Sequence, residues 1–446
     1  MLDRRCWRLV ALWLIPAGFA VAQDPAIFAD PLPGTAKLEL TRPLDEVMVD
    51  GIDKYALRAI EQAARSRAEK WQTDTSSPEA YNKSLAPYRE RLKSILGAVD
   101  PLLTRGGIED LTTTRLSGAP APGTQIPEGD HAAFYSIHPI RWQVLEGVTG
   151  EGLMLWPEAV EPVGLVVCVP DAQWTPEEFC GADPDKREST ILPRWLADQG
   201  LVVIVPMLIS REDTFSGNPE IAMTNQSHRE WVYRSAFEMG RHVIGYELQK
   251  ILAAVDDLVR FNEELRIDLP IGVAGVGDGA MLALLAAALD PRIDAALVCG
   301  YFQPREGVWQ EPIERNVWRL LTLFGDAELA GMVAPRPLII EACAIPEITT
   351  PLPPAEGRRG GAAPGSIKTA SLEAVKQEFD KAQSIYQELK ADDAIHLISN
   401  KQGEGAPGSR KALAKLYELL KLEPLPDEDS EALKLDVMVD VADRQR

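Results

Sequence analysis

The chain has 446 residues, enough for one large domain or two moderate ones. It is 46% hydrophobic and 25% charged, the composition of a folded globular chain and not of a disordered one. A net charge of -21 argues against nucleic acid or an anionic membrane as partner, because both are held by clustered cations.

At the N-terminus Arg4, Arg5 and Arg8 precede an apolar stretch, 9–22, that ends in Ala20-Val21-Ala22. A basic start, a short apolar core and a small-x-small end predict a signal peptide over 1–22, cleaved near Ala22, and export to the periplasm or the exterior. The stretch is too short for a membrane span, and no later segment reaches that length without charges. The tandem Arg4-Arg5 leaves the export route open. Cleavage removes Cys6 and leaves Cys168, Cys180, Cys299 and Cys343, whose spacings match no zinc pattern. No metal and no cofactor is expected, and a Cys168–Cys180 bridge stays open for an exported chain.

Residues 23–130 read as an extended and helical extension. The segment 23–43 is Pro-rich, and Leu44, Val47, Met48, Ile52, Leu57, Ile60 and Ala64 fall at the spacing of one or two amphipathic helices. Ser77, followed by Pro78 and Glu79, predicts a cap for a second helix running to Gly97. The Gly/Pro-rich stretch 117–130 reads as a linker.

From 131 to 422 the pattern becomes that of one α/β domain. Runs at 134–145 and 151–157, separated by Gly147-Val148-Thr149-Gly150, predict a hairpin. Strands then follow at 164–169, 201–206, 270–275, 295–300, 337–341 and 395–399. Helices are predicted at 190–199, 241–262, 280–290, 314–323, 372–391 and 409–422. The sum is a mostly parallel eight-stranded sheet with helices on both faces, the α/β-hydrolase layout, plus the N-terminal helical extension. Two excursions interrupt it, 210–239 and 345–369, the latter Pro/Gly-rich and read as a mobile surface loop. Residues 423–446 form an acidic linker and a C-terminal stub.

Gly275-Val276-Gly277-Asp278-Gly279 lies between the strand-like 269–274 and the Ala/Leu run 280–289. Strand, glycine-rich turn and buried helix are the setting of the nucleophile elbow, Gly-x-Ser-x-Gly. Both flanking glycines are present, but the nucleophile position is Gly277, which has no side chain. With 135–155, the runs 224–231 and 240–247, and Phe324-Gly325-Asp326-Ala327-Glu328-Leu329, the elbow makes residues 40–422 resemble secreted α/β-hydrolases of acetyl-xylan-esterase-like or dienelactone-hydrolase-like type from planctomycete-type bacteria. The resemblance implies a small-molecule or carbohydrate ester as ligand, and a second hydrolase domain in longer members.

A serine hydrolase of this fold also needs an acid after the seventh strand and a histidine after the eighth. Glu341 and Glu347 are the acid candidates. The segment 400–409 holds no histidine, and His396 lies too early, inside the strand. Shifting the frame by one residue makes Asp278 a carboxylate nucleophile. His228, beside Arg229 and Glu230, is the candidate base; His242, with Arg241 and Glu247, reads as a salt-bridged helix surface. Arg229, Arg234 and Arg241 either clamp a carboxylate ligand or pair with neighbouring acids. Asp171, Ala172, Trp174, Arg229, Tyr301 and Phe302 are expected to line the cleft, with Arg211–Asp213, Trp309 and Gln402 near it. The residues leave two functions open: a degenerate esterase homologue that binds an acylated carbohydrate or similar ligand, or an active carboxylic ester hydrolase using Asp278 or His228. The partners of His228 discriminate between them.

Overall fold

The computed structural model describes residues 33–35, 41–103, 106–111, 116–118, 135–158, 160–182, 190–215 and 224–422. The segments expected to be a signal peptide and a C-terminal stub, and most of the expected linker, lie outside the described residues. The chain divides into two compact units, 1–57 and 58–446. The first contributes the opening of helix Leu44–Lys70, on which Leu44, Met48, Val49, Ile52 and Tyr55 are exposed. The apolar spacing resolves into this single 27-residue helix, with Asp45 and Glu46 in its first turn and Arg67 and Lys70 in its last, each matching the helix dipole. All elements below belong to the second unit.

Eight strands form the body of the sheet: β1 (Tyr135–Leu145), β2 (Val148–Pro157), β3 (Gly164–Val169), β4 (Leu201–Pro206), β5 (Ile271–Val276), β6 (Ala295–Cys299), β7 (Leu338–Ala342) and β8 (Ile395–Ser399). Their spatial order is β1-β2-β4-β3-β5-β6-β7-β8. The β1/β2 and β2/β4 pairs are antiparallel and the rest parallel. This order is that of the α/β-hydrolase fold. Two short strands, Glu109–Asp110 and Leu116–Gly118, extend the β1 edge to give ten. The hairpin turn sits one step earlier than expected: Gly147 takes the left-handed conformation at φ 74°, and Val148–Gly150 already belong to β2.

Strands β3 to β7 are buried at every residue, which is why they read as unbroken apolar runs and not as alternating ones. One face packs on Val243–Leu265, the elbow helix Asp278–Leu289, Asp326–Val333 and Leu372–Glu388, together with Tyr81, Leu85, Leu92 and Leu96 of the extension. The other face packs on Leu192–Asp198 and Arg410–Leu419. Ser77 caps Pro78–Ser84 as expected, its hydroxyl accepting from Ala80 N–H at 3.1 Å; the segment to Gly97 is nevertheless two helices, the second being Ala86–Leu96.

Two expectations are corrected. The segment 314–323 is not an α-helix: single 3-10 turns at Ile313–Arg315 and Leu320–Thr322 flank Arg319, which is left-handed at φ 63°. The excursion 345–369 is not all loop. It holds an antiparallel pair, Ile348–Thr350 with Gly365–Ile367. All four described cysteines are free, so no Cys168–Cys180 bridge forms.

Candidate functional site

The turn between β5 and the elbow helix has the backbone its glycines permit. Gly277 sits at φ 56°, ψ -113°, and donates to Cys299 O at 3.0 Å. A Cβ on Gly279 would collide with the Val169 carbonyl, and one on Gly275 with the Gly279 backbone. The strand and helix therefore approach as closely as only flanking glycines allow.

The space beside Gly277 is filled. A Cβ there would run into Asp171 Oδ2. Asp171 stands in the loop after β3 and is 3% exposed. Its Oδ2 accepts from Asp278 N–H at 3.0 Å, and its Oδ1 accepts from Gln173 N–H at 2.9 Å. In a hydrolase of this fold the N–H after the nucleophile and an N–H from the β3 loop form the oxyanion hole. Here a carboxylate of the chain itself takes both types of donor. The space that a side chain at 277 would need is taken by Asp171.

Asp278 is fully buried and points the other way, between two arginines. Arg211 Nη1 donates to its Oδ2, and Arg315 Nη2 lies 2.7 Å from its Oδ1. Burial works to raise its pKa, but the Arg211 and Arg315 guanidinium charges prevail and hold the carboxyl well below the usual range. Burial pushes Asp171 up, the Asp278 charge adds to this, and Arg211 opposes it. The charges continue outward: Arg315 pairs with Glu311 at 3.2 Å, and Arg305 pairs with Glu311 at 3.3 Å and with Asp326 at 2.8 Å. Burial raises Asp326 to about 7 against the pull of Arg305. A carboxylate locked in two ion pairs is a poor nucleophile.

Among the described residues His228 meets no acid. Phe215 N–H donates to its Nε2 at 2.8 Å, so Nδ1 carries the proton and donates to Ser210 Oγ at 3.0 Å. That tautomer cannot take a proton from Ser210, and the ring pins two turns of the excursion together. Arg229 is 1% exposed, and its fork is closed on Glu247 at 2.8 and 2.9 Å, leaving no cleft-facing clamp. Arg234 binds Glu230 at 2.6 Å and Arg241 binds Asp100 at 2.6 Å. His242 is not on a salt-bridged surface: it is buried, and its Nδ1 caps Val243–Leu265 by accepting from Ile244 N–H at 3.1 Å.

Among the described residues, neither acid candidate is hydrogen-bonded to a histidine. Glu341, 1% exposed, accepts from Gly408 and Ser409 N–H at 2.8 and 3.0 Å and so holds the entry to the last helix. Glu347 is exposed and accepts from Thr369 N–H at 3.0 Å. His396 donates to Asp393 O at 2.9 Å. Trp174 stacks on Phe179, ring centres 5.8 Å apart, beside buried Ala172. Phe302 is 1% exposed, and Tyr301 lies under Arg305 at 3.6 Å. Of the expected site residues, the structure brings Asp171, Arg211, Gly277 and Asp278 together. Arg315, Arg305, Glu311 and Asp326 were missed; only the surplus of charge in 305–326, between two apolar elements, hints at them.

The two excursions clasp each other near this end of the sheet. Asn225 Oδ1 accepts from Gly361 and Ala362 N–H at 3.0 and 3.1 Å, and the Glu230 carboxylate accepts from Ala363 N–H at 3.0 Å. Beside the ionic cluster lies a cavity of about 480 Å³, bounded by Met281 and Leu285 of the elbow helix, Ile244, Tyr301, Arg315 and Leu320. Among the described residues no group of three His, Cys, Asp or Glu could hold a metal ion, and no helix is long and apolar enough to cross a membrane.

No protein-family model matches the chain, and no curated protein matches it. Among solved structures it is similar to a putative acetyl xylan esterase from Bacteroides fragilis, with 14% identity over 74% of this chain and 78% of that one, TM-score 0.49. It is similar to a glucuronoyl esterase from Solibacter usitatus, with 11% identity over 76% and 93%, TM-score 0.42. A promiscuous CE15 esterase from a marine bacterial metagenome is likewise similar, with 13% identity over 78% and 94%, TM-score 0.44.

Proposed function

We propose that this protein is an exported α/β-hydrolase-fold chain that has lost ester hydrolysis and binds a ligand without cleaving it. The observation that carries the reading is Asp171, whose carboxylate accepts from the Asp278 and Gln173 N–H groups where an acyl oxyanion would need them. Three further features support it. Gly277 offers no nucleophile, Asp278 is held by Arg211 and Arg315, and the His228 tautomer donates to Ser210. Export rests on the basic and apolar leader ending at Ala22.

The test is a labelling and turnover experiment on the mature chain. A fluorophosphonate should leave every serine unmodified by mass spectrometry, and 4-nitrophenyl acetate should be consumed no faster than in buffer with an equal mass of inert protein. Stoichiometric labelling of one serine, or saturable turnover, would overturn the reading.

A further inference from the structure

Ser136 and His138 stand two residues apart on β1 and so share a face, that of Ile140 and Trp142, which packs on Val243–Leu265. Both are buried, at 4% and 7% exposure. Ser136 Oγ lies 2.7 Å from His138 Nε2 and 2.7 Å from Oε1 of Glu158, the residue after β2. His138 Nδ1 lies 2.9 Å from Asp110 Oδ2, in the short strand Glu109–Asp110.

Three contacts of this length need three hydrogens. A serine hydroxyl has one and a neutral imidazole has one, while ionised carboxylates bring none. The four groups together therefore hold one further proton. Placed on His138, it leaves Asp110 and Glu158 ionised. The imidazolium then donates to Asp110 and Ser136, and Ser136 donates to Glu158. A serine nucleophile needs the opposite direction, with the ring accepting from the hydroxyl, so the Ser-His-Asp order here is no second triad.

The chain of contacts ties down an edge. Glu109–Asp110 pairs with Arg141 and Ile140 of β1, and Leu111 N–H donates to Pro139 O at 2.8 Å. A strand of two residues carries little backbone pairing, so the His138 contact weighs heavily in its position. Gly106, Ile108 and Asp110 also form one wall of a cavity of about 650 Å³, opposite Trp156, Phe261 and Glu264. The neighbouring charges have other roles. From Val243–Leu265, Arg260 donates to Asp257 at 2.7 Å, and Glu264 stands at the cavity wall. On the opposite face of β1, Arg141 donates to Glu151 at 2.7 Å, with Glu109 across from it. The β2 neighbours, Met154 and Trp156, are uncharged. Arg115, beside Leu116–Gly118, lies outside the described residues.

We propose that Asp110, His138, Ser136 and Glu158 form a pH-sensitive latch: their shared proton holds Glu109–Asp110 on the β1 edge, and its loss releases the cavity wall at 106–110. Without that proton one of the three contacts has no hydrogen, and two acceptors face each other. The latch closes in acid and opens in base.

Hydrogen exchange of the full chain, read by mass spectrometry on peptides covering 106–111 and corrected for the intrinsic rate, is the test. Protection should fall about tenfold from about pH 5.5 to about pH 8.5, while peptides of β4 keep theirs. His138→Gln removes the titrating ring. Asp110→Asn removes the charged acceptor at a half-exposed position where the fold is less at risk. In both variants the pH dependence of 106–111 should vanish. In the parent labelled with nitrogen-15 at histidine, both ring nitrogens of His138 should carry protons at about pH 5.5, the signal being assigned by its absence from His138→Gln. Protection that does not change with pH, a pH dependence that survives in folded Asp110→Asn, or a neutral His138 ring at that acid pH overturns the latch.

Discussion

Gly277 and Asp171 form one unit, and that unit makes an unusual prediction about restoring the missing nucleophile. In an ordinary elbow a serine at 277 is the native state. Here its Cβ meets the Asp171 carboxylate, and φ 56° strains any residue with a side chain. Gly277→Ser should therefore lose about 2–4 kcal/mol of stability in urea denaturation and gain no esterase activity. Gly277→Ala should lose about as much, because the Cβ and not the hydroxyl collides. Asp171→Ala combined with Gly277→Ser should lose less than the two single losses summed. A Gly277→Ser protein as stable as the parent would contradict this picture of the elbow. The flanks of the elbow were legible because Gly275 and Gly279 answer a local demand, close backbone approach. The filling of its centre was not, because Asp171 and Arg315 arrive from loops after other strands and no spacing in the sequence connects them to Asp278.

At the scale of elements, the eight strands were legible because burial on both faces writes continuous apolar runs into β3 to β7. The excursions were not. Proline and glycine in 345–369 suggest looseness, while the order comes from Asn225 and Glu230, more than 120 residues earlier. The misread helix at 314–323 has a similar cause: its apolar residues line a cavity, and tertiary ion pairs of Arg315 override a weak helical preference. Asn225 is 3% exposed and also donates to Leu352 O, so it is the main tie between the excursions. Asn225→Ala should speed tryptic cleavage after Arg358 or Arg359 at least tenfold while leaving the melting of the main sheet within a few degrees. Unchanged cleavage would mean that the Glu230 contacts alone hold the segment.

The whole molecule should report the burial of His242 as a pH-dependent stability. Burial lowers its pKa from 6.5 to about 4, with the Asn316 carbonyl opposing. The unfolded chain takes a proton near pH 6.5 and the folded chain does not until about pH 4. The contribution is thus full above pH 6.5 and lost as pH falls through that window, by about 3 kcal/mol in all. Asp326 acts in the opposite sense, since its folded value is raised to about 7, so the parent alone would give a mixed slope. His242→Asn keeps a capping side chain without the titration. The difference between parent and variant in denaturant midpoint should open between pH 6.5 and 4, and a constant difference would exclude His242 as its source. The interlock at the elbow has a last consequence, for redesign. Serine at 277 meets Asp171, and removing Asp171 first strips the acceptor from two N–H groups. Removing Arg211 or Arg315 first leaves Asp278 buried with half its compensation, and a histidine placed after β8 has nothing to activate. Each single step towards a hydrolase costs stability or changes nothing, so this arrangement should resist conversion to a hydrolase one residue at a time.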